Sequence, residues 1–160
     1  MFQAMATGHG GLCTMHADSL ESASKRLQQK PMDIPPAYIS LMNCALVLKR
    51  VKENSTGLSS RRIVSVEEII DANTSYSAFT WNPRKDYFEN NLMQSKILQK
   101  IAKHTGGSDI REVLMEHNKR TGILKWMLQH DIRDYKKVSE IIEKYYKDPE
   151  GLMQKINYGV

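Results

Sequence analysis

Residues 44–81 read CALVLKRVKENSTGLSSRRIVSVEEIIDANTSYSAFTW, and this stretch decides the fold class. It holds three runs rich in β-branched, aliphatic and aromatic residues. The first is Cys44–Val51, with Lys49 and Arg50 at its exit. The second contains Ile63, Val66, Ile69 and Ile70, and the third Tyr76, Phe79 and Trp81. Between them stand Asn54-Ser55-Thr56-Gly57 and Asn73-Thr74-Ser75. Both are turn chemistry, because Asn hydrogen-bonds its own backbone and Gly adopts positive φ freely. Strand runs joined by short turns predict a meander of antiparallel strands.

Beyond about Leu92 the period changes to that of helices. Ile97, Leu98, Ile101 and Ala102 mark a first helix, which Gly106-Gly107 should close. Ser108 is the expected cap of a second, with Ile110, Val113, Leu114, His117, Leu124, Met127 and Leu128 as its stripe. Asp134 should cap a third that turns Val138, Ile141, Ile142 and Tyr145 inward. Asp148-Pro149 should open a fourth, aspartate at the cap and proline in the first turn.

On the N-terminal side, Phe2–Ala6 reads as a helix that stops at Gly8-His9-Gly10-Gly11. Leu12–Ala17 is short and apolar enough for a buried central strand. Asp18, with Glu21 three residues on, forms a capping-box pattern for a helix to about Gln29 whose stripe is Leu20, Ala23 and Leu27. Pro31, Pro35 and Pro36 end that helix and start another, which Ala37–Asn43 continues.

The chain has 160 residues, 41% hydrophobic and 26% charged, with a mean hydropathy of -0.50. That composition excludes a collagen and a disordered chain, and no apolar run approaches the ~20 residues of a membrane span. No secretory signal pattern opens it, and Cys13 and Cys44 show no motif spacing, which suits a reducing cytoplasm. Of the net charge of +5, most lies in residues 91–160, with 13 basic and 9 acidic side chains. A basic surface of this kind is a solvated helical face or a footprint for an anionic partner.

The segment richest in chemistry is Ala4–Ser19, AMATGHGGLCTMHADS. Glycines there can bring backbone N–H groups close to an anion. His9 and His16, at the two ends of one short strand, could both donate to a phosphate. A metal reading would use His9, Cys13 and His16, but alternation along a strand sends Cys13 and His16 to opposite faces, so no metal is expected. His104, His117 and His130 read as surface or cap positions. Tyr145, Tyr146 and Trp126 read as helix-packing aromatics.

FQAMATGHGGLCTMHADS resembles the histidine-box region of secretion-superfamily ATPases, the hexameric motors of type II and type IV secretion, type IV pili and archaella, and above all their archaeal branch. The likeness continues through RLQQKPMDIPPAYISLMNCALVLKRV, RRIVSVEEI, FTWNP and HDIRDYKKVSEIIEKYYKDPEGLM.

This resemblance implies an α/β chain: the C-terminal half of a RecA-like core over residues 1–90, with a mixed sheet ending in the meander, then a helical subdomain over residues 91–160. It implies ATP and Mg in a full-length parent. His9 and His16 would sense the γ-phosphate, Gly8, Gly10 and Gly11 would shape the loop with Thr14 beside them, and Arg26 would contact phosphate or a neighbouring subunit. The implied partners are the parent's own N-terminal portion, the other subunits of a hexamer, and an integral membrane platform protein at the cytoplasmic face, with no nucleic acid. No G-x-x-x-x-G-K-[ST] loop occurs in the sequence, so the chain alone is expected neither to hold a nucleotide cofactor nor to hydrolyse ATP. An archaellum motor fragment, and a stand-alone basic nucleic-acid-binding or adaptor domain, are the alternative readings.

Overall fold

The computed structural model describes residues 1–52, 57–105 and 109–157. They fall into two compact units, one over Met1–Ile101 and one over the described residues from Ala102.

The first unit opens with α1 (Phe2–Ala6), α2 (Leu20–Gln28) and α3 (Pro36–Ile39). Its sheet then follows as β1 (Cys44–Lys52), β2 (Ser59–Ile69), β3 (Ser75–Asn82) and β4 (Tyr87–Asn90). The strands lie in sequence order and every pair is antiparallel. The meander is therefore the one expected, extended by β4. The turn before β3 is built by Asp71, whose Oδ1 accepts from the amides of Asn73 at 2.8 Å and Thr74 at 2.9 Å. The turn before β4 is held by Asn82 Oδ1, which accepts from the Arg84 amide at 3.1 Å, and by Asp86 at φ 50°.

Register irregularities at Val47/Leu48 and Val66/Glu67 bend the sheet. Phe2, Leu27 and Ile39 form the buried cluster of this unit, with Met15, Ile34, Tyr38, Met42, Ile69 and Ala72 packed against it.

Several local expectations need correction. The sheet is antiparallel throughout rather than mixed, so the described elements are α/β without the parallel sheet of a RecA-like core. Leu12–Ala17 is no strand: Leu12 is fully exposed, Cys13 is exposed, and only Met15 reaches the cluster. A central strand needs a neighbour on each edge, and among the described residues none pairs with it. The cap of α2 is Ser19, one residue after Asp18; its side chain accepts from the Ser22 amide while the Ser22 side chain returns to the Ser19 amide. Of the expected stripe Leu27 is buried while Leu20 and Ala23 are half-buried, and Ser24 joins Leu27 in the interior. α3 ends at Ile39, well short of Asn43.

A 3₁₀ turn (Leu92–Gln94) leads into α4 (Lys96–His104). The second unit contains α5 (Ile110–Gln129), α6 (Tyr135–Lys147) and α7 (Pro149–Asn157). Ile123, Met127, Tyr145, Leu152 and Ile156 are its buried core, with Trp126, Ile132, Val138, Ile141 and Met153 around them. Asp134 caps α6 by accepting from Lys136 and Lys137, as expected. Asp148 caps α7, accepting from the Gly151 amide at 2.9 Å. The described cap of α5 is Asp109; Gly106, Gly107 and Ser108 lie outside the described residues, as do Asn54, Ser55 and Thr56. Of the expected stripe of α5, Met127 enters the core, joined by Ile123, which the stripe omitted, whereas Leu124, Leu128 and, on α6, Ile142 are exposed.

Candidate functional site

The glycine-rich segment begins where α1 ends, and α1 is closed by its own chain. Three donors converge on the Ala4 carbonyl: the Thr7 amide at 3.1 Å, the His9 amide at 3.1 Å and the Thr7 hydroxyl at 2.9 Å. His9 Nδ1 lies 3.2 Å from both that carbonyl and the Thr7 hydroxyl, donating to the carbonyl in one tautomer and accepting from the hydroxyl in the other. The electronegative C-terminal end of a helix favours the donating tautomer. Gly8 makes the turn at φ 91°, and a Cβ on Gly11 would stand 3.1 Å from Met5 Sδ. Gly10 has open space around it.

Past the turn the segment runs unsupported. The backbone groups of residues 10–14 make no hydrogen bond to any described residue, and Thr14 is exposed. Support returns at Met15, which is anchored in the Phe2–Leu27–Ile39 cluster. It continues at His16, whose carbonyl accepts from Arg26 Nη1 at 3.0 Å. Arg26 thus ties the segment to α2 through backbone, and its exposed guanidinium can still meet an anion. The structure brings Arg26 to His16 and His9 to Thr7. It forms no hydrogen bond between His9 and His16.

A second constellation was not foreseen in the sequence. Glu68 of β2 and Ser95 are both buried, and their side chains share a short hydrogen bond from the Ser95 hydroxyl to Glu68 Oε1. Glu68 Oε2 accepts from the Lys96 amide at 2.8 Å and the Ile97 amide at 3.3 Å, while Ser95 Oγ accepts from Leu98 at 3.0 Å. A carboxylate from the sheet and a local hydroxyl together satisfy the first turn of α4, the end that attracts negative charge. The signal for Ser95 was its place before Lys96-Ile97-Leu98. Nothing local linked it to a glutamate 27 residues away.

In the second unit, Tyr145 donates to Glu116 Oε2 at 2.8 Å and Arg120 Nε donates to Glu116 Oε1 at 2.8 Å. Burial pushes the Glu116 carboxyl up, but the hydrogen bonds from Arg120 and Tyr145 outweigh it and hold the group below its ordinary range. Burial, then the Glu116 bond, raises Tyr145. The Arg120 guanidinium also stands 5.6 Å from the Tyr146 ring centre. His117 lies mid-helix rather than at an end, and its Nδ1, like Trp126 Nε1, is buried without a hydrogen-bond partner among the described residues. Trp126 and Tyr145 pack in the core as expected, while Tyr146 is exposed. Among the described residues no three His, Cys, Asp or Glu side chains converge as a cation site.

Residues 84–159 match the family described as PilB3-like, C-terminal. That match relates the stretch from the β3–β4 turn through α7 to the C-terminal region of type IV pilus and secretion ATPases. The chain is also similar to three proteins of Methanocaldococcus jannaschii. It is 36% identical over 160 residues to uncharacterized protein MJ0900, covering 94% of this chain and 29% of that protein. With uncharacterized protein MJ1287 it shares 33% over 131 residues, 78% of this chain and 47% of that one. With uncharacterized protein MJ0781 the figure is 27% over 151 residues, 89% of this chain and 20% of that one. The chain therefore spans less than half the length of each of these relatives. The PilB3-like stretch contains Ser95 and the whole Glu116–Arg120–Tyr145 cluster; His9, His16, Arg26 and Glu68 lie before it.

Proposed function

We propose that this chain is the C-terminal part of a motor ATPase that drives protein secretion or the assembly of a type IV pilus-like filament. The observation that carries the reading is the PilB3-like match over residues 84–159, and the histidine-box resemblance of residues 2–19 supports it from the other end of the chain. In the parent, ATP and Mg bind to a phosphate loop that this sequence lacks. The stretch Leu12–Ala17, whose first three residues leave their backbone hydrogen bonds unused among the described residues, becomes a strand of the RecA-like sheet when the preceding portion supplies neighbours. His9 and His16 then sense the γ-phosphate, with Gly8, Gly10 and Gly11 shaping the loop, Thr14 beside it, and Arg26 reaching phosphate or the next subunit. Preorganised donors of this kind contribute through charge stabilisation, the main resource of phosphoryl transfer.

On this reading the motor is a hexamer, cytoplasmic and peripheral at the inner face of the membrane, engaging an integral membrane platform protein. Among the described residues no helix is long and apolar enough to cross a bilayer. The test is ATP turnover. The 160-residue chain should hydrolyse none, whereas a longer polypeptide joining this sequence to a preceding phosphate loop should sediment as a hexamer and turn ATP over. A gene whose reading frame before Met1 encodes no such loop overturns the proposal and leaves an adaptor domain.

A further inference from the structure

The β1–β2 register places like charges directly opposite each other twice in succession, Lys49 against Arg62 and Arg50 against Arg61. Facing cations weaken a ladder, so this hairpin holds a charge density that its own pairing opposes. Arg62 is compensated, with Nη1 2.9 Å from Asp86 Oδ1 and its guanidinium 5.4 Å from the Trp81 ring centre. Lys49, Arg50, Lys52 and Arg61 have no ion-pair partner among the described residues. Alternation along β1 puts Leu46, Leu48, Arg50 and Lys52 on one face. Val66, Ile63, Arg61 and Ser59 stand opposite them. Leu46 and Leu48 are 52% and 60% exposed. One sheet face thus carries an uncovered aliphatic strip running directly into three uncompensated cations.

We propose that this face, formed by Leu46, Leu48, Arg50, Lys52 and Arg61, docks on an anionic phospholipid layer. Aliphatic side chains beside long cationic ones match the boundary between acyl chains and charged headgroups. Single-stranded nucleic acid is the poorer fit, because base stacking needs aromatic rings beside the cations, whereas the partners of Arg50 and Lys52 are Arg61 and Ser59 and the aromatic Phe79 stands at the other end of the strip, opposite Val66. A second copy fits poorly too, since a two-fold contact would set Arg50 and Arg61 against their own images. The inference deepens the peripheral membrane position proposed above, but it uses no nucleotide and no residue of the glycine-rich segment, so vesicle binding and ATP turnover can fail separately.

Co-sedimentation of the full chain with phosphatidylcholine vesicles, with and without phosphatidylglycerol, tests it. The chain should pellet only with the anionic vesicles, and high salt should release it. Arg50→Gln with Arg61→Gln should weaken partitioning about 30-fold, roughly fivefold per cation, while Arg50→Lys with Arg61→Lys should bind as the original does. Removing the facing cations should leave the melting temperature equal or higher, so loss of binding cannot be loss of fold. Leu46→Ser with Leu48→Ser should weaken binding as well. The proposal is overturned if the original chain ignores phosphatidylglycerol, or if Lys136→Gln with Lys137→Gln on α6 costs as much as the arginine pair. Tighter binding to a single-stranded oligonucleotide, lost in the same arginine variant, overturns it in favour of nucleic acid.

Discussion

The glycine-rich segment and the meander are neighbours in one unit, yet they satisfy their backbones in opposite ways. From Cys44 to Asn90 the ladders bond strand to strand, and the two described turns are closed by Asp71 and Asn82. From Gly10 to Thr14 the chain bonds to nothing described, and Leu12 lies fully in solvent. A meander carries its own partners in sequence order; a central strand borrows them from elsewhere. The same apolar content therefore gives a strand in one region and an open loop in the other.

The sharpest way to break this contrast is to remove one aliphatic side chain from each side of it. Ile39 is 1% exposed, and Ile39→Ala should cost about 2–5 kcal/mol, the transfer and cavity penalty of a buried aliphatic. Leu12→Ala should change stability by less than about 0.5 kcal/mol, as surface substitutions do. Urea unfolding of both variants checks this. A large loss from Leu12→Ala would mean that the segment is buried after all.

Next in size is the buried carboxylate that fastens α4 to the sheet. Glu68→Ala leaves the Ser95 hydroxyl and the amides of Lys96 and Ile97 without their acceptor, at a cost of about 1–3 kcal/mol. Glu68→Gln keeps an acceptor oxygen and should cost less. Thermal melts of the two variants rank them, and equal melting temperatures would show that the carboxylate is dispensable.

These regions also differ in how far the sequence reveals them. The three main strands were legible because Asn73-Thr74 and the β-branched runs are local signals. β4 was not, since Tyr87–Asn90 is four exposed residues with no alternation of burial. Leu12–Ala17 misled because an apolar run reports a preference and not the presence of a partner. On α5 the expected stripe took in Met127 correctly but also Leu124 and Leu128 and not Ile123, because apolar residues stand on two adjacent faces and periodicity alone could not choose between them. The Glu68–Ser95 pair was illegible for a simpler reason: its members come from different elements. Of the candidate site, the turn at Gly8 and the exposed Arg26 could be read directly, whereas the bonds of His9 to Ala4 and Thr7 depend on where α1 stops.

The second unit allows a milder test through pH. Glu116 titrates below its ordinary value, so its contribution is present above about pH 4.5 and lost as pH falls through its lower folded value. Tyr145 titrates above its ordinary value, so its contribution is present below about pH 10 and lost as pH rises through its higher folded value. Stability should fall at both ends. Tyr145→Phe should remove the alkaline limb attributable to this pair and lower stability near neutrality by about 1 kcal/mol, one hydrogen bond. An alkaline limb unchanged in Tyr145→Phe would place its origin in another tyrosine or lysine.

The smallest effect in this chain belongs to the histidines. His9→Ala removes contacts to Thr7 and Ala4 that lie at the surface, and the Ala4 carbonyl keeps its three donors. His16→Ala leaves the carbonyl that Arg26 holds, because that bond is to backbone. Both should shift stability by less than about 0.5 kcal/mol, which a denaturation curve on the 160-residue chain can establish. The same substitutions in the longer motor proposed above should leave ATP binding in place, since the phosphate loop lies elsewhere. Turnover should fall by about 10- to 1000-fold, the usual effect of deleting one preorganised donor. Folding and turnover must therefore be read separately. A stable His16→Ala hexamer with undiminished turnover would remove the imidazole from phosphate sensing and leave His16 as a residue whose backbone alone matters.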